Sequence, residues 1–83
     1  MYYVYLLKSQ KEKFVYIGFS SDLRKKFLEH NSGKVRSTKF YRPLDLLYYE
    51  AYNSKTTARK RELELKNNSQ QKEILIKRLG PIV

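Results

Sequence analysis

Residues 2–7, YYVYLL, present no charged position on either face of an extended strand. Period-two alternation sets Tyr3, Tyr5 and Leu7 on one side and Tyr2, Val4 and Leu6 on the other. A strand that is apolar on both faces belongs at the centre of a sheet covered from two sides. Lys8–Lys13 reads as a charged turn. Phe14–Ile17 then returns antiparallel to complete a hairpin, with Phe14 and Tyr16 on one face and Tyr5 and Tyr16 looking out from the same side of the sheet. Gly18 is expected to end that strand, either because the backbone needs freedom or because another group approaches closely.

After the glycine the period changes from two to about four. Leu23, Phe27 and His30 recur on one stripe, with Lys26 beside them, and predict a helix capped by Ser20 or Ser21 with Asp22 in its first turn. Arg24, Lys25 and Glu29 fall on the solvent side. Asn31-Ser32-Gly33 stops the helix. Lys34–Arg42 (KVRSTKFYR) has no clear period and reads as a basic loop closed by Pro43. Leu44–Tyr52 is a third strand whose imperfect alternation again suggests cover on two faces. Asn53-Ser54 signals a second helix from about Lys55 to Asn67, with Ala58, Glu62 and Leu65 on one stripe. A last helix, about Gln70 to Leu79, is expected to bury Ile74, Leu75 and Leu79 before Gly80-Pro81. The expected fold is α+β: a small three-stranded antiparallel sheet flanked by helices, with residues 1–83 forming a single domain.

Composition narrows the partner. The 83 residues hold 18 Lys and Arg against 8 Asp and Glu, a surplus of ten positive charges that suits a phosphate backbone. The absence of cysteine excludes disulfides and thiolate metal sites, and one histidine excludes a multi-histidine zinc site. A reducing cytoplasm is the expected setting. The apolar start is too short and lacks the basic leader for a signal peptide or anchor, and the helices lack the wide apolar face of a membrane-surface segment.

Three polar side chains, Tyr16, Lys26 and His30, converge if strand and helix pack together, and Glu62 lies on an apolar stripe where carboxylates are rare. Singly, each has a structural reading. Tyr5 and Tyr16 suit a strand, His30 suits a helix C-terminus, Lys26 can lay its stem over the sheet, and Lys66 at i+4 can neutralise Glu62.

Together, Tyr3-Val4-Tyr5, Tyr16-Ile17-Gly18, Lys26-x-x-x-His30 and the later Glu62 resemble the GIY-YIG nuclease family, especially its short stand-alone bacterial members. Nearly the whole chain takes part. Tyr3-Val4-Tyr5 is a degenerate first motif, and the second is intact. The resemblance implies the same three-stranded sheet and metal-dependent cleavage of a DNA phosphodiester. It puts the family's two motif tyrosines on Tyr5 and Tyr16, its helix histidine on His30, and its helix arginine on Lys26. Its metal-holding glutamate falls on Glu62. Tyr5, supported by His30, would act as general base, with Tyr16 orienting water or phosphate and Lys26 stabilising charge. Mg²⁺ or Mn²⁺ on the single carboxylate of Glu62 would suffice. Lys26 exchanges a planar fork for a point charge.

The expected function is therefore an endonuclease acting on branched or damaged DNA in repair or processing. Lys34, Arg36, Lys39 and Arg42 are the expected DNA contacts, with Phe40 or Tyr41 available to stack on an unpaired base. No separate sequence-reading module fits in this length, so a partner protein would supply specificity. Two other classes stay open: a DNA-binding module of the same fold that has lost cutting through Lys26, and an RNA-binding accessory protein.

Overall fold

Strand β1 (Tyr2–Ser9) is the middle strand of a three-stranded antiparallel sheet, flanked by β2 (Val15–Ser20) and β3 (Leu44–Tyr52). The computed structural model describes residues 1–80. Helix α1 (Leu23–Asn31) follows β2, a single 3₁₀ turn (Lys39–Tyr41) precedes β3, and α2 (Lys55–Asn67) and α3 (Ser69–Arg78) close the described chain. Pro81 of the expected terminal break lies outside the described residues.

The central position of β1 follows from its double apolar face. Val4, Tyr5, Leu6 and Leu7 are all buried, and they divide between two cores. Val4 and Leu6 pack with Ile17, Ala58, Leu65 and Leu75 under α2 and α3. Tyr5 and Leu7 pack with Leu44, with Tyr16, Leu23, Phe27 and Leu46 partly buried around them. Burying one such aliphatic side chain contributes about 1.5–3 kcal/mol, so β1 carries much of the apolar stabilisation of both layers.

The β1–β2 register pairs Tyr5 with Gly18 and Leu7 with Tyr16, which puts Tyr5 and Tyr16 on one face as expected. Several boundaries differ from the sequence reading. Gly18 lies inside β2 rather than ending it. Phe14 lies outside the strand and stacks on Tyr41, with ring centres 3.8 Å apart, fastening the hairpin turn to the loop before β3. The α1 cap is Asp22, whose carboxylate accepts from the Lys25 amide at 3.1 Å. Ser20 instead accepts from the Asp22 amide and donates to its carbonyl. Gly33, at φ +78°, reverses the chain after α1, and the Arg42 guanidinium packs where a side chain at that position would project.

The uneven alternation of β3 comes from a bulge, which turns the two halves of the strand toward the two covered faces of the sheet. Leu7 pairs with Leu46 and Leu6 with Tyr48, leaving Leu47 unopposed. Leu44 and Leu46 thus face α1, while Tyr48 and Tyr52 face α2 and α3. Tyr49 is left 53% exposed. In α3, Leu75 is buried and Leu79 packs against the core, but Ile74 is 45% exposed, because the helix is rotated to present Leu75 and Ile76.

A polar cluster locks α2 to β3. Tyr48 and Tyr52 donate to the Glu50 carboxylate, and Arg61 grips it from α2 through Nε at 2.9 Å and Nη2 at 3.0 Å while also pairing with Glu64. Burial alone would raise the Glu50 pKa, but bonds from Arg61, Tyr52 and Tyr48 outweigh it and hold the carboxyl below its ordinary value. A depressed carboxylate pKa adds stability above the unfolded pKa and loses it as pH falls through the folded one. Glu50→Gln is therefore expected to cost about 2 kcal/mol at pH 7, a fall of about 10 °C in melting temperature, and progressively less as pH falls below about 4. Thermal melts at pH 7 and pH 3 check this. An equal gap at both would remove Glu50 ionisation from the account.

Candidate active site

The site is assembled where α1 crosses the β1–β2 hairpin. His30 ends the buried stripe of α1 and is fully buried, as is Thr38 from the loop beyond. The Tyr5 hydroxyl is 2.8 Å from His30 Nε2, and Thr38 Oγ1 is 2.7 Å from Nδ1. His30 is thus bonded through both ring nitrogens to side chains, which excludes the reading of a helix-end cap. The Tyr5 and Tyr16 rings both meet the imidazole edge-on, with centres 5.6 and 5.2 Å away.

Tyr5 lies across the sheet from Gly18, and its ring and hydroxyl occupy the space a Cβ there would need. Close approach, not backbone freedom, is what Gly18 provides. Tyr16 is half-buried, and among the described residues no side chain hydrogen-bonds its hydroxyl. Tyr5 is the inner phenol of the pair and Tyr16 the outer one.

Electrostatics keep the inner groups neutral. Burial, with the charges of Tyr16 and Glu62 behind it, pushes the Tyr5 phenol well above its ordinary value. Burial and the nearby Lys26 ammonium lower His30 to about 4, with Glu29 opposing weakly. At neutral pH the pair is a phenol beside an uncharged imidazole.

Glu62 projects from the buried stripe of α2 and is 5% exposed. Lys66 pairs with Oε2 at 2.9 Å, the expected i+4 contact, and Arg59 pairs with Oε1 at 2.9 Å. The Lys66 ammonium also lies 5.7 Å from the centre of the Tyr16 ring, joining Glu62 to the tyrosine side of the site. Lys26 is at the rim, with its ammonium 3.6 Å from Glu29, so Glu29 is its partner rather than a purely solvent residue. An open groove of about 620 Å³ between α1 and β3, lined by Tyr3, Arg24, Phe27 and Tyr49, contains none of these groups.

Among the described residues no three His, Cys, Asp or Glu side chains gather as a metal cluster. The donor set at Glu62 fits a hard cation that keeps most of its waters and takes phosphate oxygens from a substrate. Arg59 and Lys66, both exposed by more than a third, can swing off the carboxylate to admit it.

The four expected DNA contacts lie in the loop between α1 and β3. Lys34 and Arg36 are exposed, and Lys39 lies over the exposed Phe40 ring at 5.0 Å. Arg42 folds back, its Nε donating to the Lys39 carbonyl at 2.7 Å. Asn31 fixes the loop's far end by bonding both the amide and the carbonyl of Leu44 at 2.7 and 3.0 Å. Sequence reasoning missed Thr38 and Arg59. Only the i−3 spacing to Glu62 could have pointed to Arg59, and nothing local marks Thr38.

Residues 1–74 match the family model for the GIY-YIG catalytic domain. A UPF0213 protein of Staphylococcus saprophyticus is 38% identical over 74 residues, covering 88% of this chain and 89% of that protein. A UPF0213 protein of Staphylococcus epidermidis is 35% identical over the same length. The solution NMR structure of the UPF0213 protein BH0048 from Bacillus halodurans superposes with a TM-score of 0.59 at 28% identity, over 98% of this chain and 89% of that one. Among the described residues no helix is long and apolar enough to cross a membrane.

Proposed function

The chain belongs to the GIY-YIG nuclease family, and on that premise we propose that it is a divalent-metal-dependent endonuclease hydrolysing DNA phosphodiesters in repair or processing. The observation that carries this reading is the convergence of Tyr5, His30, Tyr16 and the Lys66-linked Glu62 about the β1–β2 hairpin. A structural role would explain any one of them but not their assembly around a buried, doubly bonded imidazole.

Glu62 would hold Mg²⁺ or Mn²⁺, which when bound supplies positive charge against the phosphate and acidifies a water. Because Tyr5 and His30 are both neutral at rest, proton removal runs as a relay rather than through a standing phenolate. The Tyr5 oxygen takes the proton of the attacking water as its own proton passes to His30 Nε2. Tyr16, the outer phenol, donates a hydrogen bond to a phosphate oxygen. Lys26 at the rim, and Lys66 once released from Glu62, oppose the charge that develops in the transition state. Lys34, Arg36 and Lys39 contact flanking phosphates, with Phe40 free to stack on an unpaired base, while Arg42 braces the loop. Branched or damaged DNA in the cytoplasm is the proposed substrate, with a partner protein supplying specificity.

A second reading, a DNA-binding module that does not cut, is favoured by Glu62 being neutralised by two cations and by Lys26 being engaged with Glu29. A nicking assay on labelled duplex and branched DNA, with Mg²⁺ or Mn²⁺ against EDTA, separates the two. Cutting only with the ion is expected, with log affinity falling linearly as log salt rises at roughly 0.9 per phosphate neutralised. A folded protein that shifts DNA without nicking it would establish the second reading. A salt-insensitive affinity would remove the phosphate-backbone argument from both.

A further inference from the structure

Thr38 stands in the middle of a basic surface loop, between the exposed Ser37 and the half-buried Lys39, yet it is fully buried, and its hydroxyl reaches inward to His30 Nδ1. Tyr5, His30 and Thr38 form one hydrogen-bonded chain with links of 2.8 and 2.7 Å. Two proton arrangements satisfy both links. In one, Tyr5 donates to Nε2 and Nδ1–H donates to Thr38. In the other, Thr38 donates to Nδ1 and Nε2–H donates to Tyr5. Each leaves one hydroxyl hydrogen without a partner among the described residues.

Acidity decides between them. A phenol, with a pKa of about 10, is a far stronger donor than an aliphatic hydroxyl, which in turn is the better acceptor. Orphaning the phenolic hydrogen in a buried site is the more costly choice, so the chain runs from Tyr5 through His30 to Thr38.

We propose that Thr38 is a positioning residue that fixes His30 as the Nδ1–H tautomer, so that Nε2 is the acceptor for the Tyr5 hydroxyl. The same bond ties the basic loop to the site's proton relay. Arg36 lies two residues before Thr38 and Lys39 one after it, so the loop that would meet phosphates carries the hydroxyl that orients the imidazole. The assignment deepens the nuclease reading by naming what sets its histidine, but the tautomer itself can be read without DNA.

His30 is the only histidine, so long-range ¹H–¹⁵N correlation spectra of the ¹⁵N-labelled full chain report a single imidazole. The expected pattern is a protonated Nδ1 and an unprotonated Nε2. Thr38→Val keeps the shape, removes the acceptor, and is expected to convert the spectrum to a tautomer mixture. Thr38→Ser is expected to retain the wild-type pattern. If Thr38→Val does not fold, Thr38→Ala takes its place as the variant without an acceptor, with the same expected tautomer mixture, and an unchanged spectrum in it would overturn the assignment. A wild-type spectrum with Nε2–H, or an unchanged spectrum in a folded Thr38→Val, would also overturn it. In the nicking assay Thr38→Val should lower kcat about 10- to 100-fold at unchanged DNA affinity, with Thr38→Ser restoring it. The Nδ1–H pattern in a protein that never nicks DNA would sink the nuclease reading and leave Thr38 in place. Nicking by a protein with Nε2–H would do the reverse.

Discussion

Glu62→Ala should reduce metal-dependent nicking by at least about three orders of magnitude while DNA affinity changes by no more than about three-fold. On the proposed mechanism Glu62 is the carboxylate that would hold the ion, so its removal would take away that ligand and with it the activated water and the charge on the phosphate. Affinity is spared because the proposed backbone contacts Lys34, Arg36 and Lys39 lie in the loop between α1 and β3, whereas Glu62 is on α2. The fold is spared for a separate reason. Glu62 is nearly buried, but its partners Arg59 and Lys66 are exposed by more than a third, so both cations return to water when the carboxylate is removed. Alanine also favours the helix. Nicking rates and gel shifts measured on the same preparation, with a melting curve as control, read the three quantities separately. An unchanged rate would remove Glu62 from the mechanism. A collapse of affinity alongside the rate would mean that the site binds DNA through this residue rather than acting on it.

The sequence made the elements legible where one periodicity dominated. The doubly apolar YYVYLL could only be a central strand, and it is. Ala58, Glu62 and Leu65, at i, i+4 and i+7, are the three residues α2 buries. His30 stood out because a polar side chain on a core stripe demands partners, and it has them in Tyr5 and Thr38. What stayed hidden lay where two local rules compete or none applies. Ser20, Ser21 and Asp22 are all good caps, and only the backbone, extended at Asp22, selects the carboxylate. In β3 the bulge at Leu47 swaps faces midway, so one strand reads as two half-patterns. Thr38 lies in a loop without period, and its partner is eight residues back across a chain reversal that no spacing rule covers.

Gly18 shows how one position can couple fold and chemistry, and Gly18→Ala is the second substitution expected to have a large effect. The added methyl would be driven into the Tyr5 ring and hydroxyl, closer than real Cβ contacts come. An exposed side chain would swing aside, but Tyr5 has little room to move. It is fully packed in the middle strand, its neighbours Leu7 and Leu44 are buried, and its hydroxyl is held by His30. The strain must therefore be absorbed by the β1–β2 ladder or by breaking the Tyr5–His30 bond. A loss of about 3 kcal/mol is expected, lowering the melting temperature by more than about 10 °C. In whatever protein still folds, nicking should fall by about two orders of magnitude if the proposed relay operates, because Tyr5 and His30 would no longer have their geometry. Pairing the change with Tyr5→Leu separates steric conflict from a general dislike of alanine in β2. If the clash is with the ring, Gly18→Ala should cost far less in the Tyr5→Leu background, giving a coupling of about 2 kcal/mol between the two sites. Strictly additive losses would mean that Tyr5 moves freely. A Tyr5 that moves freely could not be held by Gly18, His30 and Thr38 in the geometry the relay requires.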